Sequence, residues 1–224
     1  MNTYKYDIHV HTSETSSCGK VRAKDLAGLY KAAGYHGIVI TDHYYGGFFN
    51  KLKAKSWSDK IDLYLEGYRI ALEEGKKQGL IVLPGIEITF PENSNDYLVY
   101  GIDEKFLKEN KELFNLGLKG LRDHIKGTGF VLVQAHPFRP FMIPADPSLL
   151  DGIEVYNGNK RHDPRNHLAY DYALKYGLRM VSGSDFHREE DAGMGGIIVP
   201  REITTPAQLA DTIRNGMITE LIRN

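Results

Sequence analysis

Short apolar runs alternate with helical patterns along this chain, and the alternation limits its fold more than any other feature. The runs are rich in Val, Ile and Leu and are bounded by Gly, Pro or Asp, which is typical of buried strands. Strands are predicted over residues 6–11, 37–42, 80–87, 97–102, 129–135, 152–156 and 179–184. Strands that alternate with helices favour a parallel α/β fold, and their number is slightly short of the eight in a (β/α) barrel.

Helical spacing fills the gaps between these runs, and single glycines stand where several helices should end. Asp163 and Pro164 predict an N-cap followed by a proline at the first helical position. Thr205 begins a capping box that predicts the start of the last helix. The glycines that should end helices are Gly34, Gly79, Gly127, Gly177 and Gly216.

Composition excludes several classes of protein. A length of 224 residues predicts one domain over residues 1–224, and 28 Lys and Arg against 29 Asp and Glu argue against a protein that mainly grips nucleic acid or an anionic membrane. A single cysteine, Cys18, rules out an internal disulfide and fits a reducing compartment. The sequence shows no signal-peptide pattern and no apolar run of membrane-spanning length, so a cytoplasmic protein is expected.

Side chains that bind metals stand at the ends of the predicted strands. In an α/β barrel such strand ends gather at one mouth, where the active sites of these enzymes lie. Two histidines at positions 9 and 11 point to the same side of a strand, and imidazole mixed with carboxylate suits Zn, Fe or Mn. A metal site is therefore predicted, with Glu87 able to bridge two ions. The strand-end residues are His9, His11, His43, Glu87, His136, Asp185 and His187.

The chain resembles the PHP (polymerase and histidinol phosphatase) family through five short motifs that occur in the family's order. The resemblance implies a distorted (β/α)7 barrel of the TIM-like type with two or three divalent metals at its mouth. Family members include histidinol phosphatases, nucleotide and oligonucleotide phosphoesterases, and domains attached to bacterial polymerases. The motifs are His9-Val10-His11-Thr12, Thr41-Asp42-His43, Gly85-Ile86-Glu87, Ala135-His136-Pro137 and Gly183-Ser184-Asp185-Phe186-His187.

The same resemblance implies which residues hold each metal. Asp96 stands where the family usually has a histidine, and this harder ligand would favour Mn or Fe over Zn. The family's third site also takes a His or an acid from the loop after the first strand, but residues 13–19 contain no histidine. Without that metal, His43 and His187 could bind phosphate directly. The implied ligands are His9, His11, Glu87 and Asp185 for the first metal, Glu87, His136 and Asp96 for the second, and His43 and His187 for the third.

Cations near the mouth are candidates for binding phosphate. Arg139 follows His136 by three residues, and arginine binds phosphate oxygens through two parallel contacts. The alternative for each cation is solvated surface charge. Cys18 could be a weak ligand of the third metal, a reactive thiol or a packed side chain, and the sequence favours packing. The other candidate cations are Lys160, Arg161 and Arg165.

The leading hypothesis is a phosphoesterase in which a metal-activated hydroxide attacks phosphorus at a site of two or three metals. Glu87, Asp185, His43 and His187 would carry the reaction. The expected substrate is a small phosphomonoester or a nucleotide. Nucleic acid is expected as a substrate only in the form of a short oligonucleotide. The alternatives are an amidohydrolase-like hydrolase of C–N bonds and a non-catalytic metal-binding module. The sequence does not indicate an oligomeric state.

Overall fold

A computed structural model describes residues 3–53 and 55–224 and shows a mixed α/β fold. The strands are β1 (Tyr4–Val10), β2 (Gly37–Ile40), β3 (His43–Tyr44), β4 (Ile81–Pro84), β5 (Ile86–Thr89), β6 (Asp96–Tyr100), β7 (Val131–Gln134), β8 (Gly152–Asn157), β9 (Arg179–Gly183), β10 (Gly195–Val199) and β11 (Glu220–Arg223). The helices are α1 (Ala23–Ala32), α2 (Gly46–Asn50), α3 (Trp57–Tyr64), α4 (Glu66–Gln78), α5 (Glu104–Glu109), α6 (Gly117–His124), α7 (Asn166–Tyr176) and α8 (Pro206–Arg214). Short 3-10 helices cover Leu113–Asn115, Pro147–Leu149 and Glu189–Asp191.

The strands form two sheets, ordered β11-β10-β1-β2-β4 and β3-β5-β6-β7-β8-β9. The prediction of a wholly parallel sheet is wrong, because β6 runs antiparallel to β5 and β7, and β10 runs antiparallel to β1 and β11. Too few residues separate β5 from β6 to form a crossover helix, so the chain turns back as a hairpin. The remaining neighbours pair in parallel, as the alternation of strands and helices predicted.

Two of the places where the sheets meet lie beside the candidate site. Only Gly85 separates β4 in one sheet from β5 in the other, and the Gly85 N–H donates to the Ile40 carbonyl. At the second place Val10, in β1, forms a parallel bridge with Phe186, just beyond β9. Both junctions lie beside predicted metal ligands, so the backbone of the fold itself fixes the positions of those side chains.

Apolar packing holds the helices against this framework. Helices α1 and α4 cover the β1-β2-β4 face through a cluster that includes Leu26, Tyr30 and Val82. A second cluster joins residues of both sheets, among them Ile8 and Val133. Burying such side chains supplies roughly 1.5–3 kcal/mol each, which makes this packing the main source of the fold's stability.

The helix ends test the predicted capping signals. Thr205 and Gln208 form the expected capping box of α8, and Gly177 ends α7 in the left-handed region at φ 66°. The predicted start of α7 at Asp163 is wrong. Arg165, at φ 49°, comes directly before the helix, and Asp163 accepts a hydrogen bond from the Arg165 N–H in a separate turn. In the described part of the chain, no helix has the length and apolar character that crossing a membrane requires.

Candidate metal centre

Glu87 is the hub of a buried polar cluster. It lies in β5, its side chain is fully buried, and ring nitrogens of four histidines surround its carboxylate. The pairs are His43 Nδ1 to Oε2 at 2.8 Å, His136 Nε2 to Oε1 at 3.1 Å, His9 Nε2 to Oε1 at 3.2 Å and His11 Nε2 to Oε2 at 3.3 Å. Residues that are distant in sequence, and that the sequence predicted as ligands, therefore converge on one carboxylate.

Asp185 completes the cluster from the opposite end of the chain. Its Oδ1 lies 3.5 Å from His9 Nε2 and 3.4 Å from His11 Nε2. The strand geometry considered for residues 185–187 does not continue, because β9 ends at Gly183 and Asp185 has φ 52°. His187 Nδ1 is nevertheless 3.4 Å from Asp185 Oδ1, so the turn brings the two side chains together.

Unpartnered atoms at the centre of the cluster fit a metal ion. His9 Nε2 and His11 Nε2 are buried and form no hydrogen bond of good geometry among the described residues, although carboxylate oxygens lie 3.2–3.5 Å away. Buried polar atoms are normally paired, because leaving them unpaired is costly. Imidazole nitrogens and carboxylate oxygens are ligands of Zn, Fe and Mn. Four groups have ligand atoms within 4.8 Å of one another: His9, His11 and Glu87; His9, His136 and Asp185; His43, Glu87 and Asp96; and His11, Cys18, His43 and His187.

Charge within the cluster keeps its carboxylates ionised. Burial alone would raise the pKa of Glu87, but His43 and His9 outweigh it and hold the pKa well below its usual value. Burial is likewise outweighed at Asp185, whose pKa His9 and Arg139 keep low. Burial and the neighbouring His43 lower the pKa of His11 to about 3. Glu87 and Asp185 are therefore anionic and face a neutral His11, while the neighbouring carboxylates outweigh burial and raise the pKa of His9 and His43.

Asp96 reaches the same cluster from β6. It pairs across the hairpin with Thr89, whose hydroxyl donates to Asp96 Oδ1 at 2.5 Å. Burial and the nearby Glu87 raise the pKa of Asp96. The antiparallel hairpin, which the sequence did not predict, is what places this carboxylate near His43 and Glu87.

Glu154, in β8, contacts two of the histidines, the ring of His9 and the backbone of His136. Its Oε1 lies 2.9 Å from His9 Nδ1, which leaves His9 Nε2 facing Glu87 and Asp185. Its Oε2 accepts from the His136 N–H and from the Asn157 amide, both at 2.9 Å. A carboxylate behind a metal-binding histidine fixes the tautomer and orientation of the ring.

Ser16 is a supporting residue that the motifs did not single out. Its hydroxyl donates to Asp42 Oδ1 at 2.6 Å, accepts from the His43 N–H and lies 3.2 Å from His11 Nδ1. Asp42 also accepts from the backbone N–H and hydroxyl of Thr12. A serine in a loop carries no periodic signal, so only the folded loop reveals this contact.

The thiol of Cys18 lies among His11, His43 and His187. Burial would raise the pKa of this thiol, but contacts with His187 and His43 bring it down to about 6. The acid of the same loop, Glu14, points elsewhere, because its carboxylate accepts from the Ala23 N–H at the start of α1. The packing role that the sequence favoured for Cys18 therefore does not describe its surroundings.

A cavity of about 580 Å³ opens beside the cluster. Arg139 donates to Asp185 Oδ2 at 2.5 Å, and its buried Nε has no partner among the described residues. Arg161 makes a two-pronged ion pair with Asp191 at 2.7 and 2.6 Å. Lys160 is exposed and Arg165 lies 3.7 Å from Asp163, and neither is among the described residues that line this cavity. The lining residues are Cys18, Lys20, His43, Asp96, His136, Arg139, Asn159, Arg161, His162, Asp185, His187 and Arg188.

Solved structures share this fold at low sequence identity. A two-domain protein from Bacteroides vulgatus, which contains a predicted PHP-like metal-dependent phosphoesterase, is 19% identical with a TM-score of 0.67, over 97% of this chain and 64% of that one. An amidohydrolase from Chromobacterium violaceum with bound sulfate is 16% identical with a TM-score of 0.51, over 96% of this chain and 97% of that one. The lesion-specific endonuclease EndoQ from Pyrococcus furiosus is 13% identical with a TM-score of 0.66, over 98% of this chain and 58% of that one.

This chain spans less than two thirds of the length of the Bacteroides and Pyrococcus proteins. No curated protein matches the sequence. The family model described as PHP-associated matches residues 163–218. That match covers part of the chain, and the fold as a whole is shared with PHP-like proteins.

Proposed function

We propose that this chain is a metal-dependent phosphoesterase that hydrolyses a small phosphate monoester or a nucleotide. The observation that carries the proposal is the buried cluster around Glu87, where unpartnered ligand atoms from separate strands converge beside an open cavity. Cationic side chains in the cavity wall, Arg139 foremost, match an anionic substrate. A structural metal site would be closed, whereas this cluster opens on a space large enough for a small molecule.

The proposed framework is a single domain over residues 1–224 that forms a distorted (β/α)7 barrel. Continuity of the chain from β4 through Gly85 to β5 supports one closure of the two sheets. The Val10–Phe186 bridge supports the other. In such a barrel the cluster would occupy the mouth where active sites lie.

Two divalent ions would be held by side chains of the Glu87 cluster. His9, His11, Glu87 and Asp185 would hold the first, and Glu87, His136 and Asp96 the second, with Mn, Fe or Zn compatible with these ligands. When bound, such ions supply positive charge that acidifies a water molecule and offsets charge on phosphate oxygens. Glu154 would keep the His9 ring in the orientation that this binding requires.

Residues of the cavity wall would bind and orient the substrate. Arg139 lies beside Asp185, and its guanidinium would donate to non-bridging phosphate oxygens while remaining ion-paired. His43 and His187 line the same cavity and would contact the phosphate, either as hydrogen-bond donors or through a third ion. Lys160, Arg161 and Arg165 are weaker candidates for contact with a larger substrate, because Arg161 is already paired with Asp191.

The test combines metal analysis with turnover of p-nitrophenyl phosphate before chelation, after chelation and after Mn addition. We expect about two or more metals per chain and a turnover that is lost on chelation and restored by Mn. Glu87→Gln should abolish turnover while the protein stays folded, because an amide cannot bridge two cations as a carboxylate does. Glu73→Gln, the same substitution on the exposed face of α4, is the matched control.

Four outcomes would count against the proposal. Full activity in Glu87→Gln would exclude the bridging role. Bound metal with hydrolysis of amides or lactones but not of phosphate esters would favour a C–N hydrolase, and bound metal without any turnover would favour a binding module. Absence of metal under every loading condition would mean that the cluster is not a metal centre.

A further inference from the structure

A second group of ligand atoms lies on the cavity side of the Glu87 cluster. Ring nitrogens of His11, His43 and His187 and the Cys18 thiol come within 4.8 Å of one another. The ring centroid of His11 is 4.6 Å from that of His43 and 4.6 Å from that of His187. Imidazole and thiolate are ligands that zinc accepts together.

His11 lies between the Cys18 group and the Glu87 cluster, with its Nε2 3.3 Å from Glu87 Oε2 and 3.4 Å from Asp185 Oδ1. The residue is fully buried, its Nδ1 lies 3.2 Å from Ser16 Oγ, and its Nε2 forms no hydrogen bond of good geometry in the described part of the chain. A buried ring nitrogen without a hydrogen-bond partner destabilises the fold, and a cation bound to that nitrogen would remove the penalty. His11 thus connects the Glu87 cluster with the Cys18 group.

The loop after β1 offers few other groups to this position. Both oxygens of Glu14 accept from the Ala23 N–H, and the Thr15 hydroxyl donates to the Tyr64 carbonyl. The Ser16 hydroxyl is committed to Asp42. Cys18 is therefore the loop residue left to face His43 and His187, where the sequence had no histidine to offer.

The backbone of the loop holds Cys18 in place. At Gly19 an added Cβ would lie 2.8 Å from the Thr12 carbonyl oxygen, so only glycine allows this close approach. The next residue, Lys20, donates its N–H to the His187 carbonyl at 2.8 Å. The thiol is thus presented against the His187 segment by a loop fixed on both sides.

We infer that Cys18 supplies a thiolate ligand at the position where the PHP resemblance implies a third metal ion on His43 and His187, and that this ligand makes the position select a soft ion such as Zn²⁺ over Mn²⁺. The inference rests on the proposed function, because it adds one ion beside the Glu87 cluster. Thiolate sulfur favours Zn²⁺ strongly, whereas Mn²⁺ prefers oxygen ligands. Three protein ligands leave a position open, and all three residues line the cavity, so a substrate oxygen could reach the ion.

The test uses Co²⁺ as a spectroscopic substitute for zinc in the metal-free full chain. Cobalt bound to a thiolate gives a near-ultraviolet sulfur-to-metal charge-transfer band, which neither carboxylates nor imidazoles produce. We expect this band and three bound Co²⁺ per chain in the wild type. Zn²⁺ should abolish the band and Mn²⁺ should leave it.

Two variants separate the thiolate from the rest of the centre. Cys18→Ser should lose the band and bind two Co²⁺ in place of three. Cys18→His, the matched control, should also lose the band but still bind three, because imidazole replaces sulfur as the ligand. A measurement without any variant is the alkylation of Cys18 in the wild type, which Zn²⁺ should slow by about tenfold or more because the bound thiolate is withheld from reaction.

The outcomes distinguish this inference from the proposed function. Two bound Co²⁺ without a band, or three without a band, would overturn the role of Cys18 and leave the phosphoesterase proposal standing. A band together with a lack of phosphate-ester turnover would support the third site and overturn the proposed substrate. No bound Co²⁺ would overturn both.

Discussion

Glu87 shows how one side chain can determine a site. Four imidazoles and, through His9 and His11, a second carboxylate are arranged around a group that is fully buried. Removing one partner from a buried charged network leaves the others uncompensated. The roles of the neighbouring residues are therefore best separated by substitutions that change the side chain as little as possible.

Glu154→Gln tests the support behind His9. The substitution keeps the size of the side chain but removes the charge that faces His9 Nδ1 at 2.9 Å. We expect metal affinity to fall by about 10–100-fold, the usual effect of losing such a supporting carboxylate. Competition with a chromophoric chelator measures the affinity, with Glu190→Gln on the exposed surface as control. Unchanged metal affinity would show that Glu154 does not support metal binding by His9.

Arg139→Lys tests recognition of the substrate. Lysine keeps the charge beside Asp185 but cannot make the two parallel contacts of a guanidinium. Hydrogen bonds to charged groups contribute about 1.5–3 kcal/mol, so KM for a phosphate ester should rise roughly tenfold or more while bound metal stays constant. Arg122→Lys is the matched control, because Arg122 makes a similar pair with Asp151 away from the cavity. An equal change in KM for both variants would contradict the role.

At the scale of elements, sequence periodicity predicted most of the strands and helices but not how they pair. Glycine and capping signals are local, so the ends of α1, α7 and α8 could be predicted. The direction of β6 depends on its partners β5 and β7, and the two-residue strand β3 has too few residues to show a pattern. The start of α7 was missed because Arg165 adopts a left-handed conformation that arginine rarely favours.

Tyr6 links β1 to the segment before α8 and makes the fold sensitive to alkali. Its hydroxyl donates to the Ile203 carbonyl at 3.0 Å and accepts from the Ile203 N–H at 2.8 Å. Burial, opposed in part by the hydrogen bond to Ile203, raises the pKa of Tyr6 to about 12. In the unfolded chain Tyr6 ionises near pH 10, whereas in the folded chain it ionises only near pH 12. The contribution of Tyr6 to the free energy of unfolding is therefore complete below pH 10 and falls as the pH rises toward 12.

Tyr6→Phe therefore has two expected effects. At neutral pH it leaves the Ile203 backbone groups unpaired and lowers the free energy of unfolding by about 1–3 kcal/mol. Between pH 9 and pH 11 its further loss of stability should be smaller than that of the wild type by about 1 kcal/mol. Urea unfolding at the two pH values measures both effects. An identical pH dependence in the two proteins would contradict the assignment of this titration to Tyr6.

At the scale of the whole molecule, the sequence predicted which polar side chains lie together better than it predicted how the strands pair. Its motifs lie at strand ends, so any arrangement that brings those ends together brings the ligands together. His9, Glu87 and Asp185 meet although Asp185 lies beyond a turn and not on a strand. The position of Cys18 could not be predicted in this way, because the path of its loop depends on contacts with Thr12 and His187.

Metal removal should weaken the entire fold. An ion that binds only the native chain stabilises it by about 2.7 kcal/mol when present at 100 times its Kd. We expect chelation to lower Tm by several degrees and Mn²⁺ or Zn²⁺ to restore it, as followed by circular dichroism during heating. Glu87→Gln should show little response to the chelator. A wild-type Tm that is indifferent to both chelator and metal would argue against tight binding at this centre.

The junction between β1 and the segment after β9 has a consequence for biosynthesis. Asp7 accepts a hydrogen bond from the Ser184 N–H, 177 residues later in the chain, and the proposed metal ligands His9 and Asp185 flank this contact. While the chain emerges from the ribosome, His9 and His11 are synthesised well before Asp185, so their contacts with it form only later. The proposed ligand set is therefore complete only after Asp185 has been synthesised, and binding of a metal by all of its proposed ligands would follow the pairing of β1 with the segment after β9.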